Sequence, residues 1–386
     1  TVMPAFQPSE YRARTKKVRQ IMADRGLDAL LVMTESNMNY LTGYDGYSEY
    51  VPQLALVLQE EEDPVLMLRE MDLQCAYPTS YLPDTKILAY PESFIGTDKK
   101  TPWEPIAAMI RERTKSTRIG CELTAKTYGI KAHAALTKAM GVENFTDADG
   151  MLSKVKLLKS DNEIAYQQQA ARIVDRAIDT AMLAIEVGAR ESDVAAAVTA
   201  ALCAGTAEIP GSPAKMPTMP VGPTSSAPHL KWTDKKYVWN SQTNFEIGAY
   251  RHRYACPLSR TIFLGEPPAR LQHIHKAVVA GFLAALGVMK PGATCGDAHR
   301  AFLAAFTPFG VRKESRIGYS IGVDWGDGGA SLQQDDATVL QPNMTFHLII
   351  GIWEREEGYI LSEAVRITQN GAESFSRMTR ELMVKA

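Results

Sequence analysis

The strongest constraint on this chain is a change of pattern near residue 155. Before it, helical spacing alternates with short apolar runs. After it comes a charged segment and a long amphipathic helix whose start is set by Ser160, with Glu163 at the capping-box position. In the first part, SEYRARTKKVRQIMADRG reads as a helix closed by Gly26 and LDALLVM as a buried strand. LALVLQ and DPVLMLR read as two strands joined by EEED, and WEPIAAMIRERT, TRIGCE and KTYGIKAHAALTKAM as helix, strand and helix. Such alternation builds an α/β domain. A length of 386 residues exceeds what one core usually supports, so two domains are expected, 1–155 and 156–386.

In the second part, 205–228 concentrates Pro210, Pro213, Pro217, Pro220, Pro223 and Pro228, too many for a helix or a central strand. A long irregular stretch inside a compact domain is usually functional or disordered. NFEIGAYRHRYACPLSRTIFLG then reads as a strand pair bent around Gly248. ARLQHIHKAVVAGFLAALGVMKPG reads as a helix, and MTFHLIIGIWE and YILSEAVRIT as strands.

Charge and cysteine content exclude several classes. The 42 basic and 44 acidic residues leave a net charge of -2 without a block of one sign, so neither nucleic acid nor an anionic membrane is expected as a partner. The five cysteines are scattered, with no Cys-x-x-Cys, as expected of reduced thiols in a cytoplasmic protein. No signal-peptide pattern opens the sequence, and the apolar stretch 277–288 reads as too short to cross a bilayer. No P-loop, His-Glu-x-x-His, nucleophile elbow or Rossmann fingerprint is present, and DWGDGGAS (324–331) does not follow a strand in the phosphate-loop manner.

The most informative segments are NFEIGAYRHRYACPLSRTIF (244–263), GYSIG (318–322), QPNMTFHLIIGIW (341–353) and LSEAVRITQNG (361–371), with SNMNYLTGYDGYSEY near the start. In order and spacing they resemble the creatinase/prolidase/methionine-aminopeptidase family. The resemblance covers essentially the whole chain. It implies an N-terminal creatinase-like α/β domain, a C-terminal α+β domain of the pita-bread fold, and a homodimer. Metallopeptidase members hold two metal ions with two Asp, one His and two Glu. Those positions fall here on Glu246, Pro257, Tyr319, Ile349 and Ser362, with Glu363 beside the last. Proline and isoleucine have no donor atom for a metal, so no metal or other cofactor is expected.

Within the family, SNMNYLTGYDG, SAPHLKWTD, FEI, CPLSRTIFLG and MTFHLIIGIW are most similar to the ectoine hydrolases. That resemblance implies metal-independent opening of a cyclic amidine in a small zwitterion, ectoine or hydroxyectoine, to N-acetyl-L-2,4-diaminobutyrate. Two features depart from it: Ala255 stands where a His is expected, and 319–327 is shorter than its counterpart. They leave open a creatinase-like hydrolase of another guanidino or amide compound. A catalytically inactive peptide-binding member is the third alternative.

The resemblance gives Glu246 the role of nucleophile or base, since a carboxylate can add to an amidinium carbon. The plain alternative is a salt bridge to Arg251 or Arg253. His229 falls on a loop histidine that moves protons, a role its ordinary pKa suits; otherwise it is a surface residue. His347 and Glu363 complete the catalytic candidates, against a core histidine and an edge-strand ion pair. Arg253 could clamp a carboxylate. Tyr44, Tyr47, Tyr50, Tyr319, Trp325 and Trp353 could wall a cationic ring, against ordinary core packing.

Overall fold

The computed structural model describes residues 4–386, and the chain divides into two compact units, one up to Val155 and one from Lys156 on. The first carries a six-stranded sheet of β1 (Ala29–Val32), β2 (Leu54–Leu58), β3 (Val65–Arg69), β4 (Ile87–Tyr90), β5 (Ile119–Cys121) and β6 (Thr146–Asp147). The strand order is β4-β3-β2-β1-β5-β6. Residues β1 to β3 are wholly buried, as expected of strands covered on both faces. Leu30, Val32, Val57 and Leu68 face one layer with α1 (Pro8–Asp24), α2 (Glu35–Thr42) and α3 (Leu73–Thr79). Ala29, Leu31, Leu56 and Met67 face the other, with α4 (Trp103–Arg113) and α5 (Ile130–Met140). The short α6 (Met151–Lys156) straddles the division.

The second unit opens with α7 (Asp161–Ala184). Its capping box is formed: the Glu163 amide donates to Ser160 Oγ, and the Ser160 amide to Glu163 Oε1. With α8 (Glu191–Ala204) it covers β7 (Ser241–Arg251) and β8 (Tyr254–Leu264). The helices α9 (Ala269–Val288) and α10 (Cys295–Phe306) cover β10 (Thr345–Glu354) and β11 (Glu357–Thr368). The sheet order is β13-β8-β11-β10-β9, where β9 is Gly318–Ser320 and β13 is Met383–Lys385. β7 lies on the other edge of β8, and β12 (Gly371–Ser374) pairs with β11.

Two sequence expectations change here. The apolar stretch near 277–288 belongs to the twenty-residue α9, long and apolar enough to cross a membrane by length and composition. Its Leu271, Ile274, Val278, Phe282 and Ala285 are instead buried in the protein core. β7 does not turn at Gly248. The hairpin turns after Arg251, where His252 and Arg253 take left-handed φ values of 48° and 71°. Proline content of the 205–228 stretch does not prevent pairing: Thr218 and Val221 bridge to Glu246 and Thr243 along the outer edge of β7.

Candidate functional site

Directly opposed residues of antiparallel strands share a face of the sheet. The register therefore carries Glu246 of β7 to Ser259 of β8, and Ser259 to Ser362 of β11. Ser362 lies opposite Ile349 of β10, and His347, two residues along, lies opposite Tyr319 of β9. The alternate residues Phe245, Ile247, Leu258, Leu348 and Ile350 point the other way, into the helix-covered cores. The face carrying Glu246 is thus the face the helices leave clear.

Glu246 is the least compensated charge on this face. Its backbone pairs with Thr218, but its carboxylate has no hydrogen bond or ion pair among the described residues. Arg251, one candidate partner, donates Nε to Gln169 at 2.9 Å instead. Burial alone pushes the Glu246 carboxyl up to about 7. Ser259 Oγ, across the ladder, and Tyr250 Oη are also buried without a hydrogen-bond partner.

Beside them runs a continuous set of hydrogen bonds. Trp325 Nε1 donates to Tyr319 Oη at 2.8 Å, and Tyr319 Oη lies 2.9 Å from His347 Nδ1. His347 Nε2 lies 2.6 Å from Ser362 Oγ. His347 is fully buried, which lowers its pKa to about 3, so the ring is neutral at physiological pH. Desolvation, followed by the nearby Glu246 charge, raises Tyr319 to about 12. Trp325 meets His347 edge to face at 5.9 Å, and Lys215 Nζ lies 5.8 Å from the Trp325 ring centre.

Gly248 makes room for this indole, since a Cβ there would lie 2.5 Å from Trp325 Cζ3. Gly248→Ala is expected to displace Trp325, cost about 1–3 kcal/mol through overpacking, and shift the tryptophan fluorescence. The loop is anchored at Asp327, whose Oδ1 lies 2.6 Å from Lys156 Nζ and whose Oδ2 lies 3.9 Å from Lys159 Nζ. All three side chains are buried. Asp327→Asn removes that counter-charge and is expected to destabilise the chain by about 3 kcal/mol in urea unfolding.

The remaining site expectations fare differently. Glu363 is directed away from the candidate site: it pairs with Leu258 and Leu348 on the helix-covered face. There it accepts from Arg260 Nη2 at 2.7 Å and Arg380 Nη2 at 2.8 Å. A strand reverses side-chain direction at each residue, so Ser362 faces the site and Glu363 does not. His229 is exposed on the loop after the proline-rich stretch, next to Leu230, whose carbonyl accepts from the Met219 amide beside the Thr218–Glu246 bridge. Arg253 sits at the hairpin turn, more than five residues from Glu246 along the ladder. Trp353 is on the Glu246 face, part-exposed at the end of β10. Tyr44 is buried in the core of the first unit rather than offered to a ligand, while Tyr47 and Tyr50 are exposed there. Tyr50 Oη accepts from Arg69 at 3.2 Å. Sequence reasoning missed Ser259 and Tyr250, and saw Ser362 only as a lost metal ligand.

A creatinase/prolidase N-terminal domain model matches residues 14–157, and the model of metallopeptidase family M24 matches residues 165–370. The chain belongs to metallopeptidase family M24. It is 34% identical to an ectoine hydrolase of Halomonas elongata over 98% of each chain. It is 36% identical to an uncharacterized hydrolase/peptidase, y4tM, of Sinorhizobium fredii, again over 98% of each. Among solved structures, an Xaa-Pro dipeptidase from Bacillus anthracis superposes with a TM-score of 0.83 at 20% identity, over 97% of this chain and 99% of that one. The prolidase of Pyrococcus horikoshii gives 0.81 at 22% identity, over 96% and 100%. The fold is therefore the pita-bread fold of the prolidases, with a creatinase-type N-terminal domain.

The M24 metal set does not fit this chain. Of Glu246, Pro257, Tyr319, Ile349 and Ser362, two have no donor atom, and Ser362 and Tyr319 are engaged with His347. Among the described residues, no three His, Cys, Asp or Glu side chains gather closely enough to hold a metal ion.

Proposed function

We propose that this M24 member is a hydrolase of a C–N bond in a small zwitterion, and that it opens the cyclic amidine of ectoine or hydroxyectoine to the N-acetyl-L-2,4-diaminobutyrate product without a resident metal. The observation that carries this reading is Glu246: a mostly buried, unpaired carboxylate where relatives' metal sites begin. Such a group is costly to hold without a cationic partner, and an amidinium ring supplies one. Similarity to the Halomonas elongata ectoine hydrolase supports the substrate.

In this reading a Glu246 oxygen bonds to the amidinium carbon. The carbon–nitrogen bond on one side of the ring breaks as that nitrogen takes a proton, a transfer this reading gives to His229, which recovers a proton from the water in the next step. Water then displaces Glu246 from the carbon, giving the amide and restoring the carboxylate. Trp325 supplies an aromatic face for the cation. A homodimer in the cytoplasm belongs to the same proposal, and sedimentation of the intact chain checks the first part.

Activity requires Glu246 ionised, so kcat/KM is expected to rise with pH through about 7 and level off above it. A profile flat from pH 5 to 8 would remove the carboxylate from the rate-determining chemistry. The buried Ala255, opposite Tyr250, favours a guanidino or amide compound as a second reading. Turnover of ectoine, hydroxyectoine and creatine, measured side by side, separates the two. Turnover of none, with measurable affinity for peptides, would point to an inactive binding member.

A further inference from the structure

The hydrogen bonds behind the site carry a direction that heavy-atom positions alone do not display. Trp325 Nε1 can only donate, so Tyr319 Oη accepts from it. The Tyr319 hydroxyl proton then needs an acceptor, and among the described residues His347 Nδ1, at 2.9 Å, is the one in hydrogen-bond contact. Phenol is a far stronger acid than a serine hydroxyl, and so the stronger donor to an imidazole nitrogen. A neutral imidazole has one donor and one acceptor nitrogen. With Nδ1 accepting, the ring proton is on Nε2 and is donated to Ser362 Oγ at 2.6 Å. The Ser362 proton is then free to turn toward the clear face of the sheet that carries Glu246.

Ser259 is directly opposite Ser362 on the neighbouring strand and directly opposite Glu246 on the other side. Its hydroxyl is wholly buried and has no partner. Arg260 fixes both serines from behind, donating to the carbonyls of Ser259 and Ser362, each at 2.9 Å. An orphan hydroxyl in a fully buried position is costly to desolvate, a cost that a hydrogen bond to a bound ligand would offset.

We propose that Trp325, Tyr319, His347 and Ser362 form a one-way hydrogen-bond chain with His347 protonated on Nε2, and that Ser362 and Ser259 thereby present hydroxyl protons to an acceptor atom of the substrate beside Glu246. Ser259 and Ser362 are the binding residues, and Tyr319 and His347 are positioning residues that set the direction. The role toward substrate rests on Glu246 being the reacting group; the direction of the chain does not. In this arrangement His347 has no lone pair facing Ser362, so Ser362 cannot be a serine nucleophile activated by it.

The test is 15N NMR of the wild-type protein labelled at histidine, with the His347 ring assigned by its loss in His347→Gln. The proposal expects a neutral ring with the proton on Nε2, and a shift toward the other tautomer in Tyr319→Phe. A wild-type proton on Nδ1 would overturn it, because Ser362 would then donate to His347 as in a Ser–His nucleophile pair. A doubly protonated ring would overturn it equally. No substrate is needed, so an Nε2 proton in a protein that leaves ectoine untouched would sustain the chain and defeat the proposed function.

Discussion

Glu246→Gln is expected to abolish turnover of ectoine and, at pH 8, to make the protein harder to unfold. Loss of turnover follows from the role proposed for Glu246 as the attacking group, whose deletion costs roughly 10⁴-fold or more in kcat. The gain in stability follows from the environment. Burial raises the Glu246 carboxyl from 4.5 to about 7, so the folded state binds its proton more tightly than the unfolded state does. Stability from this group is then fully present below about pH 4.5 and is lost as pH rises to about 7. Glutamine has no charge to bury and escapes that loss. The full shift corresponds to about 3 kcal/mol, and partial solvent access reduces the expected gain to about 1–2 kcal/mol. Urea unfolding at pH 5 and pH 8 checks the sign: the variant's advantage grows between the two. An advantage shrinking with pH would mean that Glu246 has a cationic partner in the folded protein.

Glu363→Gln is expected to have the opposite profile, a large loss of stability with little specific loss of catalysis. Its carboxylate is buried with Arg260, each about 1% exposed, and also receives Arg380 and Ser374. Breaking a buried pair from one side costs about 3–5 kcal/mol, because the remaining charge stays buried. Replacing both partners, as Arg260→Met with Glu363→Leu, is expected to cost less than either alone in a double-mutant comparison. Turnover per folded molecule should stay within a few-fold of wild type. A thousand-fold fall in kcat with unchanged stability would return Glu363 to the reacting groups.

The contrast between these two glutamates shows where sequence reasoning stops. Periodicity, the Ser160 capping box and the motif order made the long central strands legible, since these are local signals, while short strands such as β4, β6, β12 and β13 carry too few residues to show a pattern. Which side of β11 faces the site is not local. It is set by the pairing of β8 with β11, and a shift of one residue exchanges Ser362 for Glu363. Glu363 drew attention as the more chemically capable residue, yet it is spent on Arg260. Ser259 drew none, because a serine in an apolar strand carries no signature until its partners are known. Tyr44 was misjudged for a related reason: its segment packs as α2 and the following turn against the sheet, which buries the ring.

Incubation of chelator-treated wild-type protein with ectoine, followed by NMR for loss of the ring and appearance of N-acetyl-diaminobutyrate, tests the central claim most directly. Conversion that persists without divalent metal and disappears in Glu246→Gln is the result expected here. Conversion restored only by added metal, or retained by Glu246→Gln, would contradict it.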